Sequence, residues 1–148
     1  MRNIFYLLFA FCFFKIQSQE VITSRDLLNK TEISIYKAQK EMIVGYFRNK
    51  ELSLSNAIQY QALAIEAFKL NAFTKAMCFS TKAREYSTEI LLELNLPGLN
   101  YYLLTNEEKQ MRIKNNCAAS EVLVPLIIND SILLSPALLR NTYKIGLN

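Results

Sequence analysis

The stretch from Val21 to Asn95 contains no proline and a single glycine, Gly45, and this feature most restricts the fold of the chain. Apolar and small residues recur through it at three- and four-residue steps, as on the buried face of an amphipathic helix. The sequence therefore predicts an all-α fold, either antiparallel helical hairpins or a small helical bundle. The expected core helices span about 31–49, 55–70 and 72–94, and Ser24, a suitable N-cap, allows an earlier start for the first of them.

Turn and cap residues divide the helical region and mark its end. Glu51–Ser55 interrupts the helical pattern, and Asn71 is a turn residue between the second and third helices. A Pro-Gly pair then ends the third helix. Thr105, with Glu108 three residues later, has the sequence of a capping box. It predicts a short helix at about 105–116.

The C-terminal part of the chain is an irregular apolar segment. It predicts no membrane span, because Asp130 and two prolines lie inside it. Ser135 and Pro136 suit the N-cap and the first position of a helix, so a last short helix is expected at about 135–143. Residues 122–128 fit either a short strand or a helical turn, and periodicity does not separate these alternatives.

The N-terminus has the layout of a secretory signal peptide. Arg2 supplies a positive start, Ile4–Phe14 is an apolar run of eleven residues, and Ser18 is a small residue just before Gln19. A helix needs about 20 apolar residues to cross a bilayer, so the run is too short to span one. An uncleaved N-terminal anchor is the alternative. The predicted domains are a signal peptide at 1–18 and a single helical domain at 19–148.

Export would change the net charge of the mature chain and the oxidation state of its cysteines. Without Arg2 and Lys15 the formal net charge falls from +4 to +2, and the remaining lysines form no basic run, so no nucleic-acid partner is predicted. Cys78 and Cys117 remain after cleavage, and an oxidising compartment would let them pair. Alternatively both are small buried residues, because two cysteines define no disulfide framework. The expected location is the periplasm or cell envelope of a bacterium, or otherwise outside the cell.

The residue inventory argues against catalysis. The chain has no histidine, which removes histidine-based triads and histidine metal sites, and its three glycines are too few for a phosphate-binding loop. Glu85, Glu89 and Glu93 recur at four-residue steps on one helix face. That spacing suits a carboxylate metal site or a solvated face, and we expect the solvated face. The sequence predicts no enzyme, no metal site and no cofactor.

Aromatic and small residues occur in a definite order through residues 57–86. A large aromatic and a leucine-small pair on the first helix precede two small residues on the second. The residues concerned are Tyr60, Leu63, Ala64, Ala76 and Ala83. In this order the segment resembles one tetratricopeptide-type helical hairpin, and residues 31–49 resemble a degenerate half repeat. The segment departs from the family at Ala67, which replaces the usual tyrosine, and at Ser80, which replaces an aromatic residue.

The resemblance implies a function as well as a fold. Tetratricopeptide hairpins bind proteins or peptides through a groove lined by the first helix of each hairpin. The corresponding positions in this chain are Gln61, Ile65, Phe68 and Lys69. We therefore expect an exported interaction module with a protein or peptide partner. The partner could belong to an assembly associated with the membrane. The alternative is a binder of a small apolar ligand inside a helical bundle.

Overall fold

The structure, a computed structural model, describes residues 23–43, 50–95 and 98–117. The regular structure in these ranges is entirely helical, which confirms the all-α prediction. The elements are α1 at residues 23–43, α2 at Glu51–Lys69, α3 at Phe73–Glu93, a 3-10 turn at Leu99–Tyr101 and α4 at Asn106–Lys114. Within these ranges no helix is long and apolar enough to cross a membrane. The predicted signal peptide at 1–18, the segment 122–128 and the helix at 135–143 lie outside the described residues.

α1 takes the earlier of the two starts that the sequence allows, and α2 begins before its predicted start at residue 55. Residues 23–30 are already helical, and Leu27 and Leu28 are buried there. α2 includes Glu51–Ser55, the stretch in which the sequence shows a break. The reason is tertiary: Leu54 is completely buried in the core, and helical geometry is what places it there. Ser53 and Ser55 therefore lie inside the helix.

The turn between α2 and α3 has a specific backbone geometry. Asn71 adopts the left-handed conformation with φ at 58°. Its N–H donates to the carbonyl of Phe68 at 3.0 Å, and the N–H of Ala72 donates to the carbonyl of Ala67 at 2.9 Å. This pair of bonds is a Schellman motif, in which asparagine tolerates the left-handed position better than most residues. The chain therefore reverses in two residues, and α3 lies antiparallel against α2.

Buried polar contacts fix the direction of α1. The hydroxyls of Ser34 and Ser87 lie 2.7 Å apart, and the Thr31 hydroxyl donates to the carbonyl of Ser80 at 3.2 Å. Both contacts advance along α1 and α3 in the same sense, so these helices are parallel. The amide Nε2 of Gln61 donates to the carbonyl of Leu28 at 2.9 Å, which links α2 to α1. The three long helices thus form an up-down-up bundle of packed helices.

The core-facing residues of each long helix alternate at three- and four-residue steps. This is the heptad spacing of helices that pack at a shallow crossing angle. On α3 the buried series is Phe73, Ala76, Ser80, Ala83, Ser87 and Ile90. Four of these six side chains are alanine or serine, and all four have no exposed surface. Such small side chains allow the α3 backbone to lie close to its neighbours, as the alanine spacing in the sequence suggests.

Tyr60 fills the space beside this seam of small residues. Its ring stacks on that of Tyr86 with centroids 5.8 Å apart, and it lies 6.1 Å from the ring of Phe79 at a tilt. Offset and tilted aromatic pairs contribute beyond the area that they bury. The α2–α3 contact therefore combines close backbone approach with large aromatic groups beside it.

α4 begins at the capping box that the sequence predicts. The backbone N–H of Glu108 donates to Oγ1 of Thr105 at 3.2 Å, and the N–H of Thr105 donates to Oε2 of Glu108 at 2.8 Å. No residue of α4 is buried. Local caps and polar contacts with α3, rather than an apolar core, therefore hold this helix in place.

Candidate functional site

The four residues predicted to line a groove are placed in different environments. Gln61 has no exposed surface, and Ile65 is buried in the core cluster. The amide of Gln61 bonds to the carbonyl of Leu28 on α1 and to Oγ of Ser80 at 3.3 Å. In this conformation α1 therefore occupies the face of α2 that Gln61 presents, and neither Gln61 nor Ile65 is accessible to a partner.

Phe68 and Lys69 lie at the end of α2 and remain partly available. Phe68 is half-buried, with an edge-on contact to Phe73 at 5.5 Å between centroids and the guanidinium of Arg25 6.0 Å above its ring. Lys69 is exposed, and Leu70 beside it is 72% exposed. The end of the bundle at the α2–α3 turn thus presents a cation beside an apolar side chain.

A second surface with exposed apolar side chains lies on α1. Ile33, Tyr36 and Ile43 are 44%, 47% and 42% exposed, and their spacing places them on the face turned away from the core. Lys40 is an exposed cation within the same face and forms no ion pair with the described residues. We call these four residues the outer α1 face. Its exposed apolar groups are grouped on one helix face rather than scattered singly.

Arg84 is the most heavily bonded side chain on the other side of the bundle. It is 2% exposed and donates to the backbone carbonyls of Tyr101 at 3.3 Å, Tyr102 at 2.8 Å and Leu103 at 3.0 Å. Its Nη1 also pairs with Oε1 of Glu108 at 3.0 Å. The same carboxylate therefore accepts from Arg84 through one oxygen and closes the capping box of α4 through the other.

Two further contacts attach α4 to α3. The guanidinium of Arg112 pairs with the carboxylate of Glu85. A disulfide joins Cys78 to Cys117, with a Cα–Cα distance of 5.1 Å, so the pairing that the sequence left open is present in the structure. Glu108 at the start of α4 meets Arg84, whereas Cys117 beyond its end meets Cys78 earlier on α3, so the two helices are antiparallel.

The glutamate stripe on α3 is occupied by cations from the protein itself. Nζ of Lys50 lies 2.6 Å from Glu93 and 3.2 Å from Glu89, and Glu85 is paired with Arg112. The hydrogen bonds that Lys50 donates to Glu93, and to a smaller extent to Glu89, raise the pKa of Lys50 above its usual value. No group of three or more metal-ligating side chains occurs in the part of the chain that the structure describes. The stripe therefore acts as an ion-pair surface between the start of α2 and the end of α3.

An open cavity of about 450 Å³ lies against α4. Its described lining is a face of that helix together with the adjoining C-terminal turn, and comprises Lys109, Arg112, Ile113, Asn116 and Cys117. Ile113 is 72% exposed, and two of the lining residues are cations. The cavity is therefore suited to an anionic group beside an apolar one, and it borders the disulfide.

Comparison with known proteins returned no family model, no curated relative and no solved structure that matches the chain.

The main polar feature of the structure, Arg84, was not singled out from the sequence. An arginine in a helix rich in lysine and glutamate looks like a solvated surface residue. A signal was nevertheless present: Met77, Arg84 and Leu91 are separated by seven residues each, and all three are buried. A charged residue in register with two apolar ones indicates a buried cation that needs partners.

Proposed function

We propose that this chain is a small exported interaction module that binds a protein or peptide partner through the surface of its helical bundle. The observation that carries the proposal is the outer α1 face, where Ile33, Tyr36 and Ile43 are each more than two-fifths exposed on one side of a helix. Apolar side chains grouped in this way mark interaction sites more often than isolated ones do.

The partner segment that fits this face is an amphipathic helix with a carboxylate in register with Lys40. Apolar residues at helical spacing on the partner would cover Ile33 and Tyr36 on one side of Lys40 and Ile43 on the other. Lys40 has no anion from the described chain, so an acidic partner residue would find it available. The proposed occupant is therefore a helix of another protein.

The tetratricopeptide-like character of the α2–α3 hairpin is part of this proposal. The small residues that carry the resemblance, Ala64, Ala76 and Ala83, have no exposed surface, and Tyr60 is 3% exposed beside them. These are the environments that such positions require. In this interpretation α1 packs on the hairpin as a helix of a neighbouring repeat would, and the contact surface moves from Gln61 and its neighbours to α1.

Site-specific photo-crosslinking tests the proposal in the organism that makes the protein. A benzophenone amino acid replaces Tyr36 in one variant and Lys69 in a second, with Glu107 on α4 as an exposed control position. We expect one discrete adduct from position 36, which is lost when Lys40→Glu is added, and no adduct from position 107.

Other outcomes discriminate among surfaces and overturn the proposal as stated. A discrete adduct from position 69 alone would assign binding to the end of α2, which the groove prediction includes. An adduct of twice the chain mass from position 36 would show that a second copy covers the outer α1 face. Absence of any adduct at position 36 would exclude this face as the binding surface.

The alternative function, an apolar ligand inside the bundle, has less support. The seam between the long helices is filled by alanine and serine side chains with no exposed surface. The cavity beside α4 is bordered by Lys109 and Arg112, which do not suit a purely apolar ligand.

A further inference from the structure

α4 is fastened to α3 at its two ends by different kinds of contact. At its N-terminal end, Arg84 holds the preceding backbone through three carbonyls and holds α4 through Glu108. Just beyond its C-terminal end, Cys117 is joined to Cys78. α4 has nine residues and none of them is buried, so it has little stability of its own.

A second Schellman motif sets the position of Cys117. Asn116 adopts the left-handed conformation with φ at 48°, and the N–H of Cys117 donates to the carbonyl of Arg112 at 3.0 Å. The chain therefore turns back at the end of α4 and directs Cys117 toward α3. Cys117 is half-buried and borders the open cavity beside α4.

The same cavity has an electrostatic character that favours thiolates. Lys109 borders it together with Cys117 and has no anionic partner among the described residues, whereas Arg112, also on the border, is already paired with Glu85. Thiol–disulfide exchange proceeds by attack of a thiolate on one sulfur, and nearby cations stabilise an approaching anion. The sulfur of Cys117 is therefore both accessible to an external thiolate and close to a positive charge.

We propose that the Cys78–Cys117 disulfide is a thiol-exchange site that switches the C-terminal half of α4 between a fixed and a released state. An external thiolate attacks the sulfur of Cys117, a mixed disulfide forms there, and Cys78 leaves as a thiolate. A second external thiol then displaces Cys117. The external reagent is oxidised to its disulfide, and the two cysteines are reduced to thiols.

The release is confined to one half of α4 because its other anchor does not depend on sulfur chemistry. Arg84 keeps its bonds to the 101–103 carbonyls and to Glu108 when the disulfide opens. The three-helix core contains neither cysteine among its apolar members, so it stays folded. The Arg112–Glu85 ion pair also lies in this half, but it is partly exposed and solvent screens it, so it holds the helix only weakly. Reduction should therefore loosen residues 109–117 and leave 101–108 and the long helices in place.

Hydrogen exchange measured by mass spectrometry tests the switch in the full chain carrying Cys12→Ser, so that only Cys78 and Cys117 can pair. We expect amides in 109–117 to exchange at least about tenfold faster after reduction, with no change in α2 and α3. The double variant Cys78→Ser/Cys117→Ser should show the released pattern with and without reductant. Adding Glu108→Gln to the reduced protein should extend the fast exchange to 101–108.

The kinetics of reduction test the role of the cavity separately. Glutathione, which carries net negative charge as a thiolate, should lose about threefold in rate when Lys109 is replaced by Gln. Cysteamine, whose ammonium offsets its thiolate, should show no such loss. Lys40→Gln, an exposed lysine on α1 outside the cavity, is the matched control and should leave both rates unchanged.

Three results would count against the proposal. Unchanged exchange in 109–117 after complete reduction would mean that α4 is held without the disulfide. Faster exchange throughout α2 and α3 would mean that the disulfide stabilises the whole fold rather than switching one helix. Equal loss of rate for glutathione and cysteamine in Lys109→Gln would exclude the electrostatic role of the cavity.

Discussion

The hydroxyl of Ser34 on α1 lies 2.7 Å from the hydroxyl of Ser87 on α3, and neither side chain has exposed surface. Ser87 donates its single hydrogen to the carbonyl of Arg84 at 3.0 Å, so Ser34 is the donor in the contact between them. This bond joins residues 53 positions apart in sequence and holds α1 in register on α3.

The Ser34–Ser87 contact predicts non-additive effects on stability. Ser34→Ala and Ser87→Ala should each lower the free energy of unfolding by about 1 kcal/mol. The double variant should cost clearly less than the sum, because the second substitution removes a bond that the first has already broken. Chemical denaturation of the four proteins measures the coupling. Strict additivity would show that the hydroxyls do not interact.

A larger side chain at position 76 should overpack the core. It has no exposed surface, so Ala76→Leu should lower the free energy of unfolding by about 1–3 kcal/mol and the melting temperature by several degrees. Thr74→Leu is the control, because Thr74 is exposed on the same helix and should change stability by less than about 0.5 kcal/mol. Lys82 is a poorer control, since it is half-buried and lies 5.3 Å from the ring of Tyr86. Equal melting temperatures for Ala76→Leu and the parent would show that the seam is not close-packed.

The contacts of Arg84 predict that another cation cannot replace its guanidinium group. Arg84→Lys keeps the cation but loses the planar fork that serves three carbonyls and a carboxylate, and should cost about 2–3 kcal/mol in thermal or chemical unfolding. Arg25→Lys makes the same chemical change at an exposed position, where the lysine can keep a cation over the Phe68 ring, and should cost less than about 0.5 kcal/mol. A neutral Arg84→Lys would mean that the 101–103 backbone finds other partners.

The N-terminus predicts processing. Removal of residues 1–18 should leave a mature chain that begins at or near Gln19, because the apolar run is short and ends close to a small residue. Intact mass of the protein recovered from its own cells measures this directly. A mass that includes Met1 would contradict cleavage and favour the uncleaved N-terminal anchor.

Local sequence signals predicted the parts of the fold that depend on local physics. The left-handed turn at Asn71 and the capping box of Thr105 and Glu108 are each made within a few residues, so residue type and spacing were sufficient. The burial of Ala76 and Ala83 also agreed with their spacing on one helix face. The turn and the capping box were predictable because no distant part of the chain decides them, whereas the burial of Ala76 and Ala83 also depends on the neighbouring helices.

The candidate sites depend on which helix covers which face, and the sequence does not encode that locally. Gln61 looks like a surface residue until α1 lies across it. Arg84 looks solvated until the 101–103 backbone folds over it. Leu54 makes Glu51–Ser55 helical only because a core exists for it to enter. Tertiary packing decides the environment of all three residues. Helical periodicity shows which face of a helix is buried but not which other helix covers it.

The small, completely buried side chains of the long helices restrict which substitutions this protein can accept during evolution. Positions such as 34, 38, 76, 80, 83 and 87 have room only for glycine, alanine, serine, threonine or cysteine. Positions such as 54, 58 and 90 exchange more freely among leucine, isoleucine and methionine, because volume-conserving substitutions are tolerated there. Divergent relatives would therefore share a rhythm of small side chains and differ in the large apolar residues around it.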